Sequence, residues 1–235
     1  MKKAIFSPPR LEFFLKSLRD DFGNFIVLRG YDLLPKAYSN DIDVYIPKTE
    51  LPRFFRAINN MKNIDTSIKI LVSRLGLIKC ELIIDDDKVS FDILYGFYYF
   101  GLEYQDLNLL SLNAMIHKSG IFSVPDISDE VRISLLKELL HNGRVRSDKS
   151  LYLLEMLIKC IDTLPTKYFT VDTLNEIKKS IIDGNLELPK LSLILKLRLL
   201  CFNLFQSPLK TIHNIAIFIV IKYLLGNSYH NFITK

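Results

Sequence analysis

Asp41 and Asp43 stand at the start of the apolar run Ile42 to Ile46, and Asp92 stands in the middle of a second such run, KVSFDILY, from Lys88 to Tyr95. Side chains alternate along a strand, so Asp41 and Asp43 project from one face while Ile42, Val44 and Ile46 go to the other. Two carboxylates side by side repel and raise each other's pKa unless a cation lies between them. A divalent ion, Mg²⁺ or Mn²⁺, is the economical occupant, because such ions take hard oxygen ligands. Asp92 needs a partner too, since an unpaired carboxylate in an apolar strand is costly or stays protonated. Its expected place is facing Asp41 and Asp43. A plainer reading stands beside this one, since Ser39, Asn40 and Asp41 are also ordinary turn residues. Asp85, Asp86 and Asp87 form a rival acid cluster, but three acids between two strands and before Lys88 read as a solvated hairpin turn.

The elements that must hold these acids are legible around them. Leu11, Phe14, Leu15, Leu18 and Phe22 have helical spacing, and Gly23 closes that helix before the apolar strand that ends in Arg29-Gly30-Tyr31. After the second strand a helix is expected over Glu50 to Asn63, followed by β-rich runs over Ser67 to Ser73 and Leu77 to Ile84. Near Val124-Pro125 the pattern changes to helices, expected up to Leu140 from a cap at Asp126 or Ser128, then over Lys149 to Asp162, Val171 to Asp183, Lys190 to Phe205 and Pro208 to Leu225. The expected architecture is α+β: a mixed sheet with flanking helices over residues 1 to 125, then an all-helical domain over residues 126 to 235.

A glycine ending a strand, about ten intervening residues, Asp-hydrophobic-Asp-hydrophobic and a later lone Asp on a strand together resemble the nucleotidyltransferase superfamily with the DNA polymerase beta-like fold. The resemblance covers roughly residues 10 to 100. The wording LRGYDLLP…SNDIDVYI looks closer still to uncharacterised members associated with polysaccharide biosynthesis. It implies that Asp41, Asp43 and Asp92 ligate Mg²⁺ or Mn²⁺ and that a nucleoside monophosphate passes from an NTP to a hydroxyl or phosphate on an acceptor, such as a sugar, a polysaccharide precursor or a protein. Asp92 is implied to help deprotonate the acceptor. The family usually places Gly-Ser or Gly-Gly after the first strand, whereas this chain has Gly30-Tyr31. A serine contact to phosphate is therefore lost, and Arg29 or Tyr31 stands as its replacement beside Gly30. Lys137, Arg144, Arg146 and Lys149 are further cations suited to a triphosphate. Two rival readings accompany this one, a catalytically silent scaffold of the same fold and a protein-modifying nucleotidyltransferase of the antitoxin type.

Composition bounds the rest. With 235 residues, 49% hydrophobic and 24% charged, the chain has enough apolar sequence for a sizeable core. Residues 185 to 235 hold six basic side chains against Glu187 alone, which accounts for the whole net charge of +5. No specific nucleic-acid motif accompanies them. Cys80, Cys160 and Cys201 lie far apart in apolar contexts and read as reduced core residues of a cytoplasmic protein. MKKAIF is too short for a signal peptide. His117, His141, His213 and His230 lack metal-ligand spacing. The unbroken run Ile215 to Ile221 is too short to span a bilayer, which takes about 20 apolar residues. It is expected in a core, at a protein interface or docked on a membrane surface.

Overall fold

The structure, a computed structural model, describes residues 5, 7–38, 41–61, 65–84, 86–104, 110, 113–164 and 168–220. By its contacts the chain divides into two compact units, one made of Met1–Phe97, Leu107–Pro125 and Ile217–Lys235, the other of Tyr98–Asp106 and Asp126–Ala216.

The first unit is built on a seven-stranded mixed sheet. In chain order its elements are α1 (Leu11–Phe22), β1 (Ile26–Arg29), β2 (Ile42–Tyr45), α2 (Leu51–Asn59), β3 (Thr66–Arg74), β4 (Leu77–Ile84) and β5 (Asp87–Leu94). The hairpin strands Met115–Ile116 and Ser123–Val124, here β8 and β9, complete the sheet in the order β3-β4-β5-β2-β1-β9-β8. β2 runs parallel to β5 and β1 parallel to β9, while the other neighbours are antiparallel. Period-two alternation sends Ile42, Val44, Cys80, Leu82, Phe91 and Ile93 to one face, all of them buried. Against that face α1 lays Leu11, Phe14, Leu15, Leu18 and Phe22, the 3–4 spacing of an amphipathic helix. Phe14 meets Phe91 edge-on at 6.2 Å, and Phe22 meets Phe54 of α2 at 5.3 Å. With one face covered in this way, Asp43, Asp92 and Lys79 fall by parity on the other.

Arg29 does not follow that parity. Strict alternation would give it the face of Val27, yet the register between β1 and β2 slips between Val27, opposite Val44, and Arg29, opposite Asp43. This bulge places one extra residue on β1 and re-aims Arg29 toward the acids.

The second unit contains β6 (Tyr98–Tyr99) and β7 (Leu102–Glu103), then α3 (Ile127–Lys137), α4 (Ser147–Cys160), α5 (Val171–Ile182), α6 (Pro189–Gln206) and α7 (Pro208–Ile219), whose last residues cluster with the first unit. Asp126 caps α3 by accepting from the Ser128 amide at 2.9 Å. α3 then widens into a π-helical turn over Glu138–Asn142, which Gly143 ends in a left-handed conformation. Leu135, Leu139, Leu153, Leu157, Leu174, Ile177, Leu191, Leu195 and Leu199 are buried in it.

Two expectations need correction here, the extent of the helix after β2 and the burial of Cys201. Over 126–220 the named elements are helices, and the hairpin Tyr98–Glu103, from outside those bounds, clusters with them; two-residue strands are too short to show any alternation. The helix after β2 ends at Asn59 rather than Asn63, since Asn60 leaves helical geometry and residues 62–64 lie outside the described part. Cys80 and Cys160 are buried as expected, but Cys201 is exposed on α6. In the apolar run of α7, Ile215, Ile217 and Phe218 are half-buried while Ile219 is 47% and Val220 40% exposed; Ile221 to Leu225 lie outside the described residues.

Candidate functional site

Strand register assembles a single row of four charges across the face of the first sheet opposite α1. Lys79 on β4 stands opposite Asp92 on β5, Asp92 opposite Asp43 on β2, and Asp43 opposite Arg29 on β1. The order is plus, minus, minus, plus over four adjacent strands. Asp43 and Asp92 are side by side at the spacing of neighbouring strands, about 4.8 Å. Both are buried, and each is held by the cation on its outer side.

The two pairs are built differently. Arg29 grips Asp43 with two parallel bonds, Nε to Oδ2 and Nη2 to Oδ1, the second at 3.2 Å. Burial opposes the charge on Arg29, but Asp43, then Asp92 and Asp41, outweigh it, and its pKa lies above the usual value. Lys79 instead offers one point charge, its Nζ lying 3.0 Å from Oδ1 and 2.7 Å from Oδ2 of Asp92. The same ammonium is 3.9 Å from Oδ2 of Asp41, whose side chain is 44% exposed just before β2. Burial pushes the Asp92 carboxyl above its ordinary pKa, Lys79 pulls it back, and Asp43 and Asp41 add to the rise. Cys80, next to Lys79 but facing the core, is pushed up to about 12 by burial and by the charge of Asp92.

Asp41, Asp43, Asp92 and Arg29 are thus neighbours in one cluster. Among the described residues no three Asp, Glu, His or Cys side chains are grouped so as to hold a metal ion. In donor chemistry the acids do fit a divalent ion, being three hard oxygen ligands with one negative charge in excess of Arg29 and Lys79. In arrangement, the Lys79 ammonium stands between Asp41 and Asp92 where such an ion would be shared.

Gly30 ends β1 with a left-handed φ of 67°, and a Cβ there would meet nothing within 4 Å. Its backbone is open to a ligand. Tyr31 begins a single 3-10 turn and meets the ring of His117 edge-on at 6.0 Å. Lys137 and Lys149 belong to the second unit. Lys149 lies 3.4 Å from the fully buried Glu138, which also accepts the Arg146 guanidinium at 2.9 Å, while Arg144 pairs with Glu187 at 3.0 Å. Arg144, Arg146 and Lys149 therefore have carboxylate partners within their own unit.

Lys79 is the residue that sequence reasoning missed. Its signal was present: a lone lysine in the apolar strand LIKCELII, and a β4–β5 hairpin whose register is fixed by Ile84 opposite Asp87. Counting back from Ile84 opposite Asp87 puts Lys79 opposite Asp92.

Compared with protein-family models, with curated proteins and with solved structures, the chain matches none.

Proposed function

We propose that this chain is a metal-dependent nucleotidyltransferase of the DNA polymerase beta-like fold, transferring a nucleoside monophosphate from an NTP to a hydroxyl or phosphate on an acceptor. The observation that carries the reading is the register that sets Asp92 beside Asp43 on parallel strands, with Asp41 in reach of the same lysine. Asp41, Asp43 and Asp92 would hold the ion, which when bound neutralises the triphosphate and aligns it for in-line transfer. Arg29 fixes the Asp43 carboxylate in one orientation. Asp92 would take the proton of the acceptor hydroxyl on an Oδ. The open backbone at Gly30 lets phosphate approach where a side chain would obstruct it.

Calorimetric titration of the full chain with Mg²⁺, Mn²⁺ and NTP, repeated on Asp41→Asn, tests this. Asp41 is the most exposed of the three acids, so the variant retains the fold. Binding by the wild type that falls at least about tenfold in the variant is expected; equal binding by both sinks the proposal. A second reading has its own support, because Arg29 and Lys79 already neutralise the buried acids. On that reading the row is a structural device in a silent binding module, and the wild type binds neither metal nor NTP.

For a partner, we propose that the surface of α6 and α7 docks on an anionic membrane. Residues 188 to 220 carry Lys190, Lys196, Arg198 and Lys210 and no acid. Large apolar side chains stand open among them, including Leu193, Leu197, Leu209 and Ile212. Among the described residues no helix is long and apolar enough to cross a membrane.

A further inference from the structure

The row of charges pairs one acid with a fixed cation and the other with a releasable one. Arg29 is locked to Asp43 by a planar two-bond fork, and the carboxylate it holds is only 7% exposed. Lys79 is a compact charge on a flexible four-carbon stem, 36% exposed, and it serves two acids at once, at 2.7 Å from Asp92 and 3.9 Å from Asp41. Its backbone is fixed by register opposite Asp92, so its ammonium returns to the same place whenever nothing displaces it. Without Lys79, Asp41, Asp43 and Asp92 would share one site with only Arg29 to offset three negative charges.

We propose that Lys79 is the resident counter-ion of Asp41 and Asp92, and that a divalent ion enters this site only by displacing its ammonium. This rests on the metal-site reading given above and adds to it a competition between one of the chain's own side chains and the ion. Lys79 therefore lowers the affinity for metal while keeping the empty acids from repelling one another. The charge it carries sets the competition, and its flexible stem lets the ammonium withdraw.

The experiment is a calorimetric titration of the full chain with MnCl2 alone, without NTP, on wild type, Lys79→Met and Lys79→Arg, with the thermal transition of each protein recorded with and without metal. Lys79→Met is expected to bind Mn²⁺ about tenfold or more tightly than wild type, because a unit positive charge a few Å from the ion is gone. Its melting temperature without metal is expected to fall and to rise more steeply with Mn²⁺ than that of wild type. Lys79→Arg, which keeps the charge and brings the planar fork by which Arg29 locks Asp43, is expected to bind Mn²⁺ no more tightly than wild type. Equal or weaker affinity in Lys79→Met, with the wild type binding measurably, overturns the competition and leaves the metal site standing. Absence of Mn²⁺ binding in both wild type and Lys79→Met overturns the metal site itself. Should Lys79→Met fail to fold, Lys79→Gln carries the same comparison, since it removes the charge and retains a polar end.

Discussion

Among the described residues Glu138 is the most enclosed charged side chain. It is fully buried and accepts the Arg146 guanidinium at 2.9 Å and the Asn142 amide at 3.0 Å, with Lys149 at 3.4 Å. Burial alone would raise its pKa, but Arg146, Asn142 and Lys149 together hold it below the ordinary 4.5. A depressed acid adds stability above its unfolded pKa and loses it as pH falls through the folded value. Glu138→Gln is therefore expected to be about 1–3 kcal/mol less stable at pH 7 and to lose less on acidification below 4.5 than wild type. Urea denaturation at pH 7 and in mild acid measures both; parallel pH profiles would remove Glu138 from the linkage. The acids of the first unit were legible in the sequence because an Asp in an apolar strand demands an explanation. Glu138, Arg146 and Lys149 were not legible as a set, since only the π-helical turn and the chain reversal after Gly143 bring Arg146 onto Glu138.

At the level of elements, periodicity revealed what it physically can. α1 and the β3 to β5 meander were readable to within a residue or so, because each is long enough to display its own period. The slip between Val27 and Arg29 was not, since a bulge breaks the alternation from which strands are recognised. The hairpin of β6 and β7 was equally hidden. Its turn places Phe100 and Gly101 at φ of 50° and 82°, the two positive values of a tight hairpin. Gly101 is also pressed against α7: a Cβ there would lie 2.6 Å from the backbone oxygen of Asn214. Gly101→Ala thus meets both backbone strain and a rigid obstacle, and is expected to cost more than about 2 kcal/mol. Chemical denaturation reads this directly. A neutral result would mean that hairpin and helix separate readily in solution.

For the molecule as a whole, the open apolar surface of the C-terminal helices is the largest unexplained feature. Phe205 is 91% exposed and Leu209 82%. Binding to vesicles rich in phosphatidylserine is expected at low salt, with release as salt shortens the Debye length to about 3 Å near 1 M. Phe205→Glu, which disturbs no packing, is expected to weaken that binding while changing folding stability by no more than about 0.5 kcal/mol. Unchanged binding would remove this surface from membrane docking. The hairpin has a further consequence, which concerns synthesis. Glu103 donates its amide to the Asn203 side chain at 3.1 Å and accepts from it at 2.9 Å, a closure spanning 100 residues. On a ribosome moving at about 5–20 residues per second, Asn203 follows Glu103 by about 5–20 s. During that interval the nascent segment Tyr98–Glu103 has already left the peptidyl-transferase centre, yet the helix that satisfies its backbone does not exist. The second unit is therefore closed late, only once Asn203 has been made.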